Sequence, residues 1–150
     1  MQVHAFPAFH IQASIRAING KKHIYDSVRR KYVRLTPEEW TRQHFLHYLT
    51  EHLTYPKSLI RVEKIMPGHY KQDRPDIVVY ANDGHPWLVA ECKASTIPLT
   101  MEVYTQLTRY NRKLQAPLWV ITNGIQYGCW QMKEGEVQAL DTIPPWEIKC

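Results

Sequence analysis

The stretch RPDIVVYANDGHPWLVAECKA, residues 74–94, decides how the chain is read. Its two apolar runs, residues 77–81 and 86–90, flank Asn82-Asp83-Gly84, and Asp-Gly between β-rich segments is a strong short-range hairpin signal. With Asp83 and Gly84 as the two turn residues, Ile77 pairs with Ala90 and Asp76 falls opposite Glu91. Lys93 lies two residues on from Glu91, so the period of two places both on one face. Two carboxylates opposed in a sheet repel each other. A divalent cation with a nearby ammonium group offsets that cost.

Both faces of this hairpin are apolar: Val78, Tyr80, Trp87 and Val89 on one, Ile77, Val79, Leu88 and Ala90 on the other. Strands of that kind belong in the middle of a sheet covered on both sides.

Upstream, alternation over residues 9–16 and 22–25 around Asn19-Gly20 predicts an N-terminal β-hairpin. A basic connection over residues 26–31 and a short extended piece over 32–35 follow. Thr36-Pro37-Glu38-Glu39 is a helix start: Thr at the N-cap, Pro at the first helical position, and Glu39 three residues after Thr36 as in a capping box. The helix is predicted to run to about Leu53 with Leu46, Leu49 and Leu53 as its apolar stripe. Glu39 precedes Leu46 by one heptad and so faces the sheet, or else serves only as the capping-box glutamate. Residues 59–66 read as a strand that ends at Pro67-Gly68.

Downstream, Thr100 caps a second helix on which Val103, Leu107, Tyr110 and Leu114 form a stripe bordered by Gln106. Residues 118–122 are a buried-type strand, so strand, helix and strand make a βαβ crossover with its two strands parallel. Asn123-Gly124 turns into a strand over residues 125–132, Lys133-Glu134-Gly135-Glu136 is a further hairpin turn, and residues 143–146 are extended. The whole predicts one α/β domain over residues 1–150, an α+β mixed sheet flanked by helices.

The 150 residues are 44% hydrophobic and 22% charged, the composition of an ordinary globular domain. No apolar run is long enough to span a bilayer, the N-terminal residues lack the pattern of a signal peptide, and no membrane association is expected. Three scattered cysteines suit reduced thiols and a cytoplasmic setting. The formal charge of +5 leans toward a polyanionic partner, with clusters at Lys21-Lys22, Arg29-Arg30-Lys31, and Lys71 with Arg74.

Asp76 and Glu91 supply hard oxygen donors for a Mg²⁺ that keeps waters free for substrate, and the Cys92 backbone carbonyl is a further donor. Lys93 on the same face can orient or deprotonate a water, or stabilise charge developing on a phosphorane. That is the chemistry of phosphodiester hydrolysis. Bland readings stand beside it. Lys93 can simply neutralise Glu91, Tyr110 and the tryptophans at 87 and 119 can be core, and Cys92 suits a small buried apolar role. His44 and His47 suit a solvated helix face better than a metal pair.

Arg74-Pro75-Asp76, Glu91-Cys92-Lys93 and Gln106-x-x-x-Tyr110 together resemble the PD-(D/E)XK nuclease superfamily. More narrowly they resemble the N-terminal nuclease domain of type I restriction enzyme R subunits and small stand-alone bacterial proteins similar to it. The resemblance implies a restriction-endonuclease-like αβββαβ core and a Mg²⁺-dependent deoxyribonuclease in which Mn²⁺ can substitute. It implies Asp76 and Glu91 as metal ligands, Lys93 as the catalytic lysine and Glu39 as the first-helix acid at the metal. It further implies Gln106 and Tyr110 as active-site support or DNA contacts. DNA is then the partner, a motor or specificity subunit would come from another chain, and a homodimer is one assembly the resemblance allows. The alternative is a non-catalytic DNA-binding or partner-docking module on the same fold.

Overall fold

The computed structural model describes residues 1–62 and 74–147. The predicted strand residues 63–66, the Pro67-Gly68 turn and Lys71 lie outside the described residues. Ten strands and two main helices are described: β1 (His4–Ala5), β2 (Ile15–Ile18), β3 (Lys21–Asp26), β4 (Lys31–Arg34), α1 (Pro37–His47), β5 (Ile60–Val62), β6 (Ile77–Tyr80), β7 (Pro86–Cys92), α2 (Met101–Leu114), β8 (Leu118–Thr122), β9 (Gln126–Lys133) and β10 (Glu136–Leu140). Seven strands form one mixed sheet in the order β1-β9-β8-β7-β6-β5, with β10 also pairing β9, and β2-β3-β4 form a separate antiparallel sheet. The predicted mixed sheet with flanking helices is therefore present. Among the described residues no helix is long and apolar enough to cross a membrane.

The β6–β7 hairpin has the predicted register, with Ile77 opposite Ala90 and Val78 opposite Val89, but reaches it differently. The loop holds three residues, not two: the Ala81 N–H donates to the His85 carbonyl, the Gly84 N–H donates to the Ala81 carbonyl, and Gly84 takes φ +90°. Tyr80 then pairs with Pro86 while Val79 pairs with Leu88, which leaves Trp87 as the extra residue of a β-bulge. The bulge cancels the longer loop, so the register of the remaining pairs is restored.

It also corrects one expectation. Trp87 packs with the core on the α1 side, beside Leu88, rather than with Val78 and Val89 on the α2 side. Tyr55 lies in that same core, its hydroxyl donating to the Pro144 carbonyl at 2.9 Å, and burial pushes its phenol up to about 12.

Two layers of apolar side chains cover the sheet. On one face Phe45 and Leu46 of α1, with Leu49 of the turn that follows it, meet Ile77, Val79, Leu88, Ala90, Leu118 and Val120. On the other, Val103, Leu107 and Tyr110 of α2 meet Val78, Val89, Trp119, Ile121 and Trp130. The predicted stripe on α1 omitted Phe45, which is 1% exposed. The parallel pairing of β7 with β8, Leu88 to Cys92 against Leu118 to Thr122, is as the crossover predicts.

The first helix ends differently from expectation. After His47 it widens into a π-helical turn over Tyr48–His52, closed by the Leu53 N–H on the Tyr48 carbonyl. The Thr50 hydroxyl donates to the carbonyls of Leu46 and His47 at this point and competes for ladder acceptors. At the N-terminus, Asn19 and Gly20 form the predicted tight turn at φ 52° and 76°. The first strand of that hairpin, β2, is shorter than predicted, starting at Ile15 rather than Phe9, and the piece after the basic connection is a third paired strand, so the hairpin is a three-stranded sheet.

Candidate active site

Asp76 sits one residue before β6, and the ladder of backbone pairs stops at Ile77 and Ala90. Its carboxylate turns back along β7 and accepts the Cys92 N–H through Oδ2 at 2.7 Å. Glu91, in the last turn of the pleat before Cys92, is 0% exposed and pairs in parallel with Ile121, while Asp76 is 4% exposed. Two buried acids thus lie at the adjoining ends of two neighbouring central strands. Lys93 follows directly, its N–H continuing the parallel ladder onto the Thr122 carbonyl at 2.9 Å, and its side chain is half-buried.

The N-terminal half of α1 crosses these strand ends. The Thr41 hydroxyl donates to the Asn123 carbonyl at 3.4 Å, and Gly124, at φ +85°, lies so close that a Cβ would stand 3.4 Å from that hydroxyl. A 180 Å³ recess opens here, lined by Trp40, Thr41, His44, Ser95, Asn123 and Gly124.

Glu39 is 6% exposed. Its backbone N–H receives the predicted cap from the Thr36 hydroxyl at 3.0 Å, but its carboxylate does not fold back to close a capping box. Oε1 instead accepts Arg29 Nη2 at 2.9 Å and Arg42 Nη1 at 2.8 Å, and Oε2 accepts Gln43 Nε2 at 3.2 Å. Arg42 carries the connection onward, since its Nη2 donates to Asp76 Oδ1 at 2.9 Å. Behind Glu39, Asp26 is 0% exposed and accepts Arg29 Nε at 2.6 Å, Gln43 Nε2 at 2.9 Å and the backbone N–H groups of Val28 and Arg29. Asp26, Arg29, Glu39, Arg42 and Asp76 form one continuous chain of charge-assisted hydrogen bonds.

These contacts set the electrostatics. Burial disfavours the Asp26 carboxylate, yet the Arg29 hydrogen bonds and charge, with Gln43, hold it below its ordinary range. Burial likewise disfavours the Arg42 cation, and the Asp76 and Glu39 carboxylates override it, so the guanidinium is held above its ordinary range.

The structure brings Glu39 and Asp76 together through Arg42 and sets Asp76 against the Glu91-Cys92-Lys93 segment. Tyr110 lies in the α2-side core, 6% exposed, and Gln106 is half-buried one turn before it. His44 and His47 point apart, with ring nitrogens 2.8 Å from the Trp40 carbonyl oxygen and 3.2 Å from Glu51 Oε1 respectively. Among the described residues no three His, Cys, Asp or Glu side chains are gathered closely enough to cage a metal ion. Sequence reasoning missed Asp26, Arg29, Arg42 and Gln43. Arg42 and Gln43 carried a signal, since they lie three and four residues after Glu39 on the same helix face. Asp26 and Arg29 carried none beyond their charge.

Fold and site together define a mixed α/β domain with a buried acid and arginine chain at the ends of its central strands. Residues 37–144 match the family model of the type I restriction enzyme R protein N terminus (HSDR_N), and the chain belongs to that family. No curated protein and no solved structure matches the chain. The matched region begins at the first residue of α1, so the sheet formed by β2, β3 and β4 lies ahead of it.

Proposed function

We propose that the chain is a metal-dependent deoxyribonuclease of the PD-(D/E)XK type, acting on DNA with Mg²⁺ or, in its place, Mn²⁺. The observation that carries this reading is the pair of buried acids, Asp76 and Glu91, at the adjoining ends of β6 and β7.

The donor set fits Mg²⁺ on chemical grounds. Asp76 and Glu91 are hard oxygen donors, and few protein ligands suit an ion that retains several waters. The main-chain groups of one strand residue face the same neighbour. The Cys92 N–H faces Asp76, so the Cys92 carbonyl is directed to that side as well. Asp76, Glu91 and the Cys92 carbonyl would hold the ion, with Glu39 available to one of its waters. An ion held there would supply a Lewis acid for a phosphoryl oxygen and would lower the pKa of a bound water.

The chain's own residues supply the rest. Lys93, on the strand end beside Glu91, orients that water or takes its proton, and balances charge on the phosphorane. Arg42 ties Asp76 to Glu39 and fixes the carboxylate's orientation before substrate arrives. Gln106 and Tyr110 brace the α2 side or contact DNA. A motor or specificity subunit on another chain, or a second copy of this one, would deliver the DNA.

One observation favours a second reading, a DNA-binding or partner-docking module without turnover: Arg42 already satisfies Asp76 Oδ1. Cleavage of supercoiled plasmid with and without Mg²⁺, wild type against Lys93→Ala, separates the two. The nuclease reading expects metal-dependent nicking or linearisation, slowed at least about 100-fold by the substitution. Intact plasmid with the wild-type protein and Mg²⁺ would leave the binding module.

A further inference from the structure

The small sheet ahead of the family-matched region carries nearly all of the protein's charge imbalance. Residues 9–35 hold seven Lys and Arg and one acid, Asp26, against nineteen and fourteen in the whole chain. The rest of the protein therefore nets −1, and the overall +5 resides in this segment. Asp26 is 0% exposed and engaged by Arg29, so it does not neutralise the outer surface.

The strand register sorts these charges by face. Ile24 and Asp26 of β3 are buried and point inward. The alternate residues point outward: Arg16, His23 and Arg34 are paired straight across the three strands. Lys21 flanks that row on one side, and Tyr25 opposite Tyr32 flanks it on the other. Arg16, Lys21 and Arg34 are exposed, and Tyr25 is 38% exposed. With strands about 4.8 Å apart, Arg16 and Arg34 lie roughly 10 Å from each other. The face is also braced. The Arg16 guanidinium stacks 4.1 Å above the Tyr32 ring, Tyr32 Oη lies 2.9 Å from Ser14 Oγ, and the two tyrosine rings meet at 5.3 Å.

We propose that the outer face of the β2-β3-β4 sheet, centred on Arg16, Lys21 and Arg34, binds the sugar-phosphate backbone of DNA. Arginine forks on a rigid sheet match phosphate oxygens, and rings interleaved with cations suit nucleic acid better than an acidic protein segment or a lipid surface. The sheet is also wired to the candidate site. Asp26 at the end of β3 and Arg29 in the β3–β4 turn hold each other, and Arg29 reaches Glu39 at 2.9 Å, which ties this sheet to α1. The choice of DNA among polyanions rests on the nuclease reading above.

The test measures binding, not turnover. Anisotropy of a labelled duplex, titrated over a range of NaCl, compares the 150-residue Lys93→Ala chain with the same chain also carrying Arg16→Ala, Lys21→Ala and Arg34→Ala. A charge-matched control carries Lys57→Ala, Lys113→Ala and Lys133→Ala. Each lost phosphate contact lowers the slope of log K against log salt by about 0.9, so the sheet variant should lose about two to three in slope and about 10- to 1000-fold in affinity. The control should stay within about threefold. Because Arg16 braces Tyr32, a second variant, Lys21→Glu with Arg34→Glu, leaves that stack in place and should lose binding too. Unchanged slope in the sheet variants, equal loss in the control, absence of DNA binding, or equal affinity for polyglutamate would each overturn the proposal. Binding that behaves as expected in a protein that never cleaves DNA would support it while the nuclease reading fails.

Discussion

Arg42 on helix α1 holds Asp76, thirty-four residues later in the chain, with Nη2 at 2.9 Å from Oδ1. The same guanidinium holds Glu39 at 2.8 Å, so one side chain fixes two buried acids and joins the first helix to the central hairpin. Replacing Arg42 by Ala takes the guanidinium from Asp76 and leaves Glu39 with Arg29, both acids in a poorly solvated place. Such losses cost about 3 kcal/mol or more. Chemical denaturation should show the midpoint falling accordingly with the slope unchanged. A loss under about 0.5 kcal/mol, the range of ordinary surface substitutions, would mean that the linkage is incidental.

Asp26 gives the fold an acid sensitivity with a defined sign. Its carboxyl is held below the ordinary value of 3.8, burial opposing and the Arg29 and Gln43 hydrogen bonds prevailing. The folded state then binds fewer protons than the unfolded state near that pH, so this contribution is complete above 3.8 and is lost as pH falls through the lower, folded value. Asp26→Asn should be the less stable protein at neutral pH, and the gap to wild type should narrow as pH drops below 4. Parallel stability curves for the two proteins would contradict the assignment.

Gly128 of β9 is held open by a neighbour rather than by its backbone. A Cβ there would stand 2.3 Å from Trp130 Cη2, and Trp130 is itself packed against Tyr104 at 4.6 Å between ring centroids. Gly128→Ala must displace a ring with little room to move, which costs about 1–3 kcal/mol. Thermal melts of the two proteins check it, and an unshifted midpoint would show that Trp130 can swing away freely.

How much of this was legible beforehand varies by residue. The Asp83-Gly84 signal and two apolar faces were enough to place the central hairpin and set Ile77 against Ala90. Periodicity carries no mark of a bulge, so the third loop residue and the extra residue Trp87 passed unseen, and their effects on register cancelled. Only the face of Trp87 betrayed them. The helices and the parallel crossover followed from N-cap positions and stripes, although Thr100 makes no side-chain cap bond, and the π-helical turn after His47, where the Thr50 hydroxyl donates to the Leu46 carbonyl, has no stripe of its own. At the site, Asp76, Glu91 and Lys93 were readable because alternation along a strand is local. Arg42 to Asp76 and Arg29 to Glu39 join residues thirty-four and ten apart, and side-chain pairing at that range is decided by packing. The exposed face of the small sheet needed the register of β2, β3 and β4 to separate Asp26 from the arginines around it.

The central claim is that Asp76 and Glu91 form a divalent-metal site, and metal binding itself tests it most directly. Calorimetric titration of Mn²⁺ into wild-type protein and Asp76→Asn, with folding of both verified by circular dichroism, requires neither DNA nor turnover. The account predicts a saturable site in the wild type that Asp76→Asn weakens at least about tenfold, comparable to the loss of a supporting ligand. Equal Mn²⁺ binding by the two proteins, or none by the wild type, would contradict it.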